Sequence, residues 1–178
     1  AWRPVRYVGA MPDELKIAPN RIGLMGFSAG GHLAATTATL ANAGRPGEAD
    51  PIERVSTRPD FLILGYPVIS FDPAIAHMGS RRNLLGDDPD PALVTLLSAE
   101  RQVTPDTPPT FLFHTTSDAP VPAENSIRFY LALKAAKIPV ELHIFETGPH
   151  GVGLALGDQS LSAWSVLLTN WLRGRGLL

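Results

Sequence analysis

Read for its alternation of apolar and polar positions, the chain divides into segments of two different periods. Trp2, Val5, Val8, Met11 and Leu15 recur at steps of three and four residues, the signature of one helix face, and Ala18-Pro19-Asn20 ends that helix. Arg21–Phe27 then reads as a short strand. After Ser28 the composition turns to Ala and other small residues, a helix suited to close packing on a sheet, with Gly44 as its C-terminal stop signal. Residues 45–60 are polar and loop-like. Phe61–Ile69 is apolar without alternation, as a strand covered on both faces must be.

Residues 70–109 are rich in proline and lack a clear period, with helical candidates only at Arg81–Leu85 and Pro91–Glu100. Thr110–His114 predicts the next strand. A helix follows from Pro122, in which Ile127, Tyr130, Leu131 and Lys134 share a face. Val140–Glu146 predicts another strand, and Leu161, Trp164, Leu168, Trp171 and Leu172 form the stripe of a closing helix. Strands alternating with helices predict an α/β fold: a mostly parallel sheet with helices on both faces, in a single domain over residues 1–178.

Composition narrows the chemistry. A net charge of −2 and the lack of a Lys/Arg run argue against nucleic acid as a partner, and no apolar stretch reaches the roughly 20 residues of a membrane helix. With no cysteine, disulfides, thiolate metal sites and cysteine nucleophiles are excluded. No His/Asp/Glu set has metal-ligand spacing, and no phosphate-binding glycine pattern occurs, so no metal and no cofactor are expected.

Gly26-Phe27-Ser28-Ala29-Gly30 matches G-x-S-x-G at the point where a strand should turn sharply into a helix. Such a turn lifts a serine hydroxyl clear of the sheet. It also brings backbone so close that Gly26 and Gly30 are expected to be required as glycine. The helix N-terminus presents the Ala29 N–H to an oxyanion. A serine nucleophile needs an imidazole oriented by a carboxylate. The loop after the Thr110–His114 strand offers Asp118, and the loop after Val140–Glu146 offers His150 between glycines. Both lie at carboxyl ends of strands, where α/β sheets bind ligands. Asp118 also stands where it would cap the helix near Pro122, and Glu124 and Asp106 are weaker alternatives for the acid. Among the other histidines, His32 reads as a packing or hydrogen-bonding residue and His114 as ordering the acid loop. His143 falls in mid-strand, and His77 in the irregular region.

Pro19-Asn20-Arg21-Ile22-Gly23, Gly26 to His32, Gly65-Tyr66-Pro67, the Asp118 loop ending Val121-Pro122, and His150-Gly151 together resemble the α/β-hydrolase superfamily. The likeness is greatest to bacterial acetylxylan-esterase-like and feruloyl-esterase-like enzymes, which are related to prolyl-oligopeptidase-type domains. The resemblance implies a Ser28–His150–Asp118 triad that hydrolyses short-chain acyl esters through an acyl-enzyme, among them acetyl groups on plant polysaccharides. The expected partner is therefore a small-molecule or carbohydrate ester. Tyr66, Pro67 and Val121 are expected to contact it. A peptidase of the prolyl-oligopeptidase type and a weakly active or non-catalytic hydrolase are the alternatives. Relative to that pattern the sequence lacks the N-terminal strands and the His-Gly-Gly loop, so it reads as the C-terminal portion of the fold with only Ala29 assignable to the oxyanion hole. The sheet edge so exposed is expected to offer a route to a homo-oligomer.

Overall fold

Four short strands carry the fold: β1 (Gly23–Phe27), β2 (Phe61–Gly65), β3 (Thr110–Thr115) and β4 (Val140–Phe145). A computed structural model describes residues 2–178. The strands lie side by side in the order β1-β2-β3-β4, every pair parallel. Phe27 stands beside Gly65, Gly65 beside Phe113, and Phe113 beside His143, so the strands finish nearly level along one edge.

Side chains alternate between the two faces, and each face has its own cover. On one side, Leu24, Leu62, Leu64, Leu112 and Leu142 pack against α3 (Ser28–Thr39) and α6 (Glu124–Ala135). Alanine makes the close approach of α3 workable, since Ala34, Ala35 and Ala38 form its buried stripe. On the other side, Phe27, Ile63, Phe111, Phe113 and Phe145 pack against α7 (Ala163–Gly174). There the Trp164 ring stacks on Phe113 with centroids 4.2 Å apart and planes 11° from parallel. A doubly covered parallel sheet is thus present as expected. Among the described residues β1 has no strand on its outer side, and Met25 on that strand is exposed.

Several boundaries differ from the sequence expectation. The first helix is two, α1 (Trp2–Ala10) and α2 (Pro12–Leu15), because Pro12 can start a helix but cannot continue one. Helix α3 ends at Thr39, and Gly44 is not its cap. Gly44 adopts φ +83° where the chain runs against Arg54 and Val55, whose carbonyl oxygens would lie 2.5 Å from an added Cβ. Strand β2 stops at Gly65, since Tyr66 turns to φ +35° and Pro67 has no N–H to give a neighbouring strand.

Helix α6 rotates away from its expected face. Ile127 and Leu131 are exposed, while Asn125, Ser126, Phe129 and Leu133 are buried. Asn125 explains the rotation. Its carbonyl accepts from Ile69 N and Ser70 N, and its amide donates to the Ile75 and Pro122 carbonyls. It therefore satisfies the backbone of a loop that carries no ladder. That loop, with Val68, Ile69 and Phe71 in the interior, is joined by two further helices, α4 (Met78–Leu85) and α5 (Pro91–Leu96). Among the described residues no helix is long and apolar enough to cross a membrane.

Trp164 joins α7 to the centre of the sheet, so Trp164→Ala should remove about 3–5 kcal/mol of stability. Urea unfolding at neutral pH checks this. A loss below about 1 kcal/mol would mean that α7 is held from elsewhere.

Candidate active site

The turn between β1 and α3 puts an ordinary residue in an unusual conformation. Phe27 is extended, at φ −119°, and Ser28 then takes φ +53° as α3 begins. A non-glycine residue in this region costs about 1–3 kcal/mol, so the surroundings must enforce it. Part of that enforcement is the Ser28 carbonyl, which accepts from Val68 N at 3.0 Å. Close approach sets the rest. A Cβ on Gly26 would fall 2.2 Å from the Gly30 carbonyl oxygen, and one on Gly31 would fall 2.6 Å from the Pro67 side chain. Gly30 has nothing within 4 Å of such a Cβ. Steric need for glycine therefore rests on Gly26 and Gly31, not on the Gly26 and Gly30 pair expected from the motif.

The turn aims the Ser28 hydroxyl along the carboxyl edge of the sheet to His150, 122 residues away in sequence. Ser28 Oγ lies 2.7 Å from His150 Nε2. On the far side of the ring, His150 Nδ1 lies 2.7 Å from Asp118 Oδ2. A carboxylate oxygen can only accept, so Nδ1 carries the proton and Nε2 is the lone-pair nitrogen that accepts from the serine hydroxyl. Asp118 is buried, and its other oxygen, Oδ1, accepts from Val121 N at 2.9 Å. Asp118 thus closes its own turn while it orients the imidazole.

Two loops have to meet for this, and the residues that join them were not singled out in the sequence. Ser117 Oγ donates to the Gly148 carbonyl at 3.0 Å and accepts from Gly148 N at 2.8 Å. Thr115 Oγ1 donates to the same carbonyl at 2.8 Å. The loop of Asp118 and the loop of His150 are therefore fastened to each other directly. The sequence signal was the Thr-Thr-Ser run before Asp118, whose hydroxyls suit bonding to backbone.

The three expected substrate contacts lie elsewhere than expected. Val121 is fully buried, Pro67 is buried against Gly31, and Tyr66 is only 6% exposed. Tyr66 instead supports His150: its ring meets the imidazole edge-on at 5.1 Å, and its hydroxyl accepts from Gly153 N at 3.1 Å. What does open next to Ala29 is a hollow of about 460 Å³ between α3 and α4, bordered also by Leu33, Phe71, Leu84 and Leu97. Ala29 is exposed in the first turn of α3, where backbone N–H groups have no partner within the helix.

The remaining candidates are accounted for by structure. His32 is buried against Phe71, with Nε2–H donating to the Leu97 carbonyl at 2.7 Å, and burial lowers its pKa from the ordinary 6.5. His77 caps α4 by accepting from Ser80 N, and His143 pairs with Glu141 on β4. Glu124 and Asp106 are exposed and take no part in the relay. Among the described residues no cluster of three or more His, Asp or Glu could hold a metal ion.

The family model BD-FAE matches residues 3–133, a span that includes the turn at Ser28 and the loop of Asp118. The chain belongs to the BD-FAE family. Its relatives are longer proteins. An acetylxylan esterase of Xylanibacter ruminicola is 36% identical over 161 residues, 88% of this chain and 31% of that protein. Endo-1,4-beta-xylanase B of Butyrivibrio fibrisolvens is 37% identical over 163 residues, 92% of this chain and 25% of that protein. An acetyl ester-xyloside bifunctional hydrolase of Caldicellulosiruptor lactoaceticus superposes with a TM-score of 0.96 at 48% identity, covering 98% of this chain and 64% of that one. A thermophilic esterase of Thermogutta terrifontis, solved with butyrate bound, superposes with a TM-score of 0.74 at 28% identity, covering 98% of this chain and 64% of that one. This BD-FAE chain has the α/β-hydrolase fold, and it spans less than two thirds of the length of each of these relatives.

The crowding around the turn predicts opposite results at two nearby motif positions. Gly26→Ala should cost at least about 2 kcal/mol through backbone displacement. Gly30→Ala, in open space near a helix start, should be neutral or stabilising by up to about 1 kcal/mol. Urea midpoints of the two variants read the difference directly, and equal losses would contradict the assignment.

Proposed function

We propose that this chain carries the reacting groups of a serine carboxylesterase acting on short-chain acyl esters, with acetyl groups on plant polysaccharides as the natural class. The observation that carries the reading is the unbroken relay from Ser28 Oγ through His150 to Asp118, at 2.7 Å in each step. In that relay His150 Nε2 takes the hydroxyl proton as Oγ attacks the ester carbonyl. The tetrahedral oxyanion forms against the Ala29 N–H at the positive end of α3. Collapse expels the alcohol, which receives the proton from Nε2 and leaves an acyl group on Ser28. Water then repeats the sequence, with His150 as base, and releases the acid. Asp118 holds the ring and stabilises the imidazolium without itself becoming protonated. Acetyl as the acyl group is supported by the relatives described as an acetylxylan esterase and an acetyl ester-xyloside hydrolase.

Geometry also divides the substrate between two sides. The leaving alcohol has to lie within reach of His150 Nε2, so the acyl substituent points away from that ring. We assign it to the hollow beside Ala29, whose bordering residues include none from the His150 loop. Leu33 and Leu84, both exposed there, make it an apolar seat for the acyl chain.

The chain should turn over p-nitrophenyl acetate, and Ser28→Ala should lower that rate by at least about 10³-fold. Equal turnover by the variant would remove Ser28 from the reaction. Leu84→Trp fills part of the hollow and should lower kcat/KM for the butyrate ester about tenfold more than for the acetate. An equal loss on both would place the acyl chain elsewhere.

A further inference from the structure

Asp118 is held between two imidazoles, and only one of them belongs to the relay. His114, the fifth residue of β3, is fully buried with both ring nitrogens engaged. Nε2 lies 2.8 Å from the Val121 carbonyl oxygen and Nδ1 lies 2.8 Å from Ser126 Oγ. A carbonyl only accepts, so Nε2 carries the proton and Nδ1 accepts from the Ser126 hydroxyl. Burial lowers the His114 pKa from the ordinary 6.5, which keeps the ring neutral in this tautomer. The same Nε2–H lies 3.4 Å from Asp118 Oδ2, the oxygen that accepts from His150 at 2.7 Å. His114 therefore bonds one end of the turn through Val121 and sets the same protonated ring nitrogen 3.4 Å from the carboxylate that begins it.

We propose that His114 is a positioning residue for the relay: its Nε2–H fixes the Asp118 carboxylate and withdraws charge from Oδ2, tuning how strongly Asp118 holds a proton on His150. The proposal rests on the reading of Ser28, His150 and Asp118 as the reacting groups. Its sign follows from electrostatics. Without the His114 N–H, Oδ2 bears more uncompensated negative charge, so it stabilises the His150 imidazolium more strongly. His150 then stays protonated to higher pH, and protonated His150 cannot serve as base. The ionisable groups around the pair are few. Asp118 and His150 act on His114, and Tyr66 faces the His150 ring. Helix α6 brings neutral Ser126 to His114, while its Arg128 is bonded to Asp72 and its Glu124 is exposed. On the other side of β3, Ile144 of β4 stands beside His114.

The test compares pH profiles of kcat/KM on p-nitrophenyl acetate for wild type, His114→Leu, His114→Gln and Ser126→Ala. His114→Leu should move the acidic limb upward by about half a pH unit and lower the plateau about tenfold. His114→Gln, which restores an N–H at similar reach, should bring the limb most of the way back. Ser126→Ala keeps the ring and its bond to the Val121 carbonyl but removes the hydroxyl that holds Nδ1, so it should move the limb upward by less. It also serves where the leucine variant fails to fold. The downfield proton resonance of the His150 Nδ1–H should shift in the same variants, independently of turnover. A limb and a resonance unchanged in His114→Leu, or in Ser126→Ala if the former is unfolded, would overturn the proposal. If Ser28→Ala still abolishes turnover in that case, the esterase reading stands and only the role of His114 falls. If Ser28→Ala is as active as wild type, both fall.

Discussion

A carboxylate can be taken out of water only where donors replace the water, and Asp118 is the place where this fold meets that condition. Almost every feature near the carboxyl edge of the sheet follows from it. One oxygen is satisfied by the backbone of its own turn, so the turn from Asp118 to Val121 has a single shape. The other is satisfied by His150, which draws the loop after β4 over the loop after β3. Adjacent parallel strands make that reach short, and Ser117 and Thr115 fasten the two loops through Gly148. The fully buried third strand and the packing of α6 behind it keep water away from the arrangement.

The Ser28 half of the site obeys a different constraint, one of space. Gly26 and Gly31 let backbone approach backbone and Pro67, and Ser28 accepts a strained conformation as the result. Strain at the serine and burial at the aspartate are separate costs, met at opposite ends of one imidazole. Tyr66, itself at positive φ, touches that imidazole from just past the end of β2.

The period of the apolar residues was enough to predict a doubly covered parallel sheet, because the central strands are apolar runs with little polar interruption and the helices have stripes. The G-x-S-x-G motif and the strand order were enough to choose Ser28, Asp118 and His150, which the fold brings into one chain of contacts. Failures came where a polar or small residue was buried for a reason that hydrophobicity does not encode. Asn125 and Ser126 turn α6 away from its apparent face because they serve the backbone of a loop and the ring of His114. Val121 and Tyr66, expected to meet substrate, are inside because one supplies a carbonyl to His114 and the other supports His150. The steric role of Gly31 depends on Pro67, more than thirty positions along the chain, and no local pattern could reveal it.

The 2.7 Å contact between Ser28 and His150 joins the segments that follow β1 and β4, the first and last strands in the sheet order. Its length depends on three strand pairings being in register together, and a slip of one residue at any of them displaces an element by about 3.3 Å. A hydroxyl that far from the imidazole has lost its hydrogen bond to Nε2. On the proposed reading of Ser28 as the nucleophile, its reactivity toward an acylating reagent is therefore a gauge of sheet assembly. In a refolding experiment it would appear only after the last strand had docked, and would separate molecules with native pairing from compact ones without it.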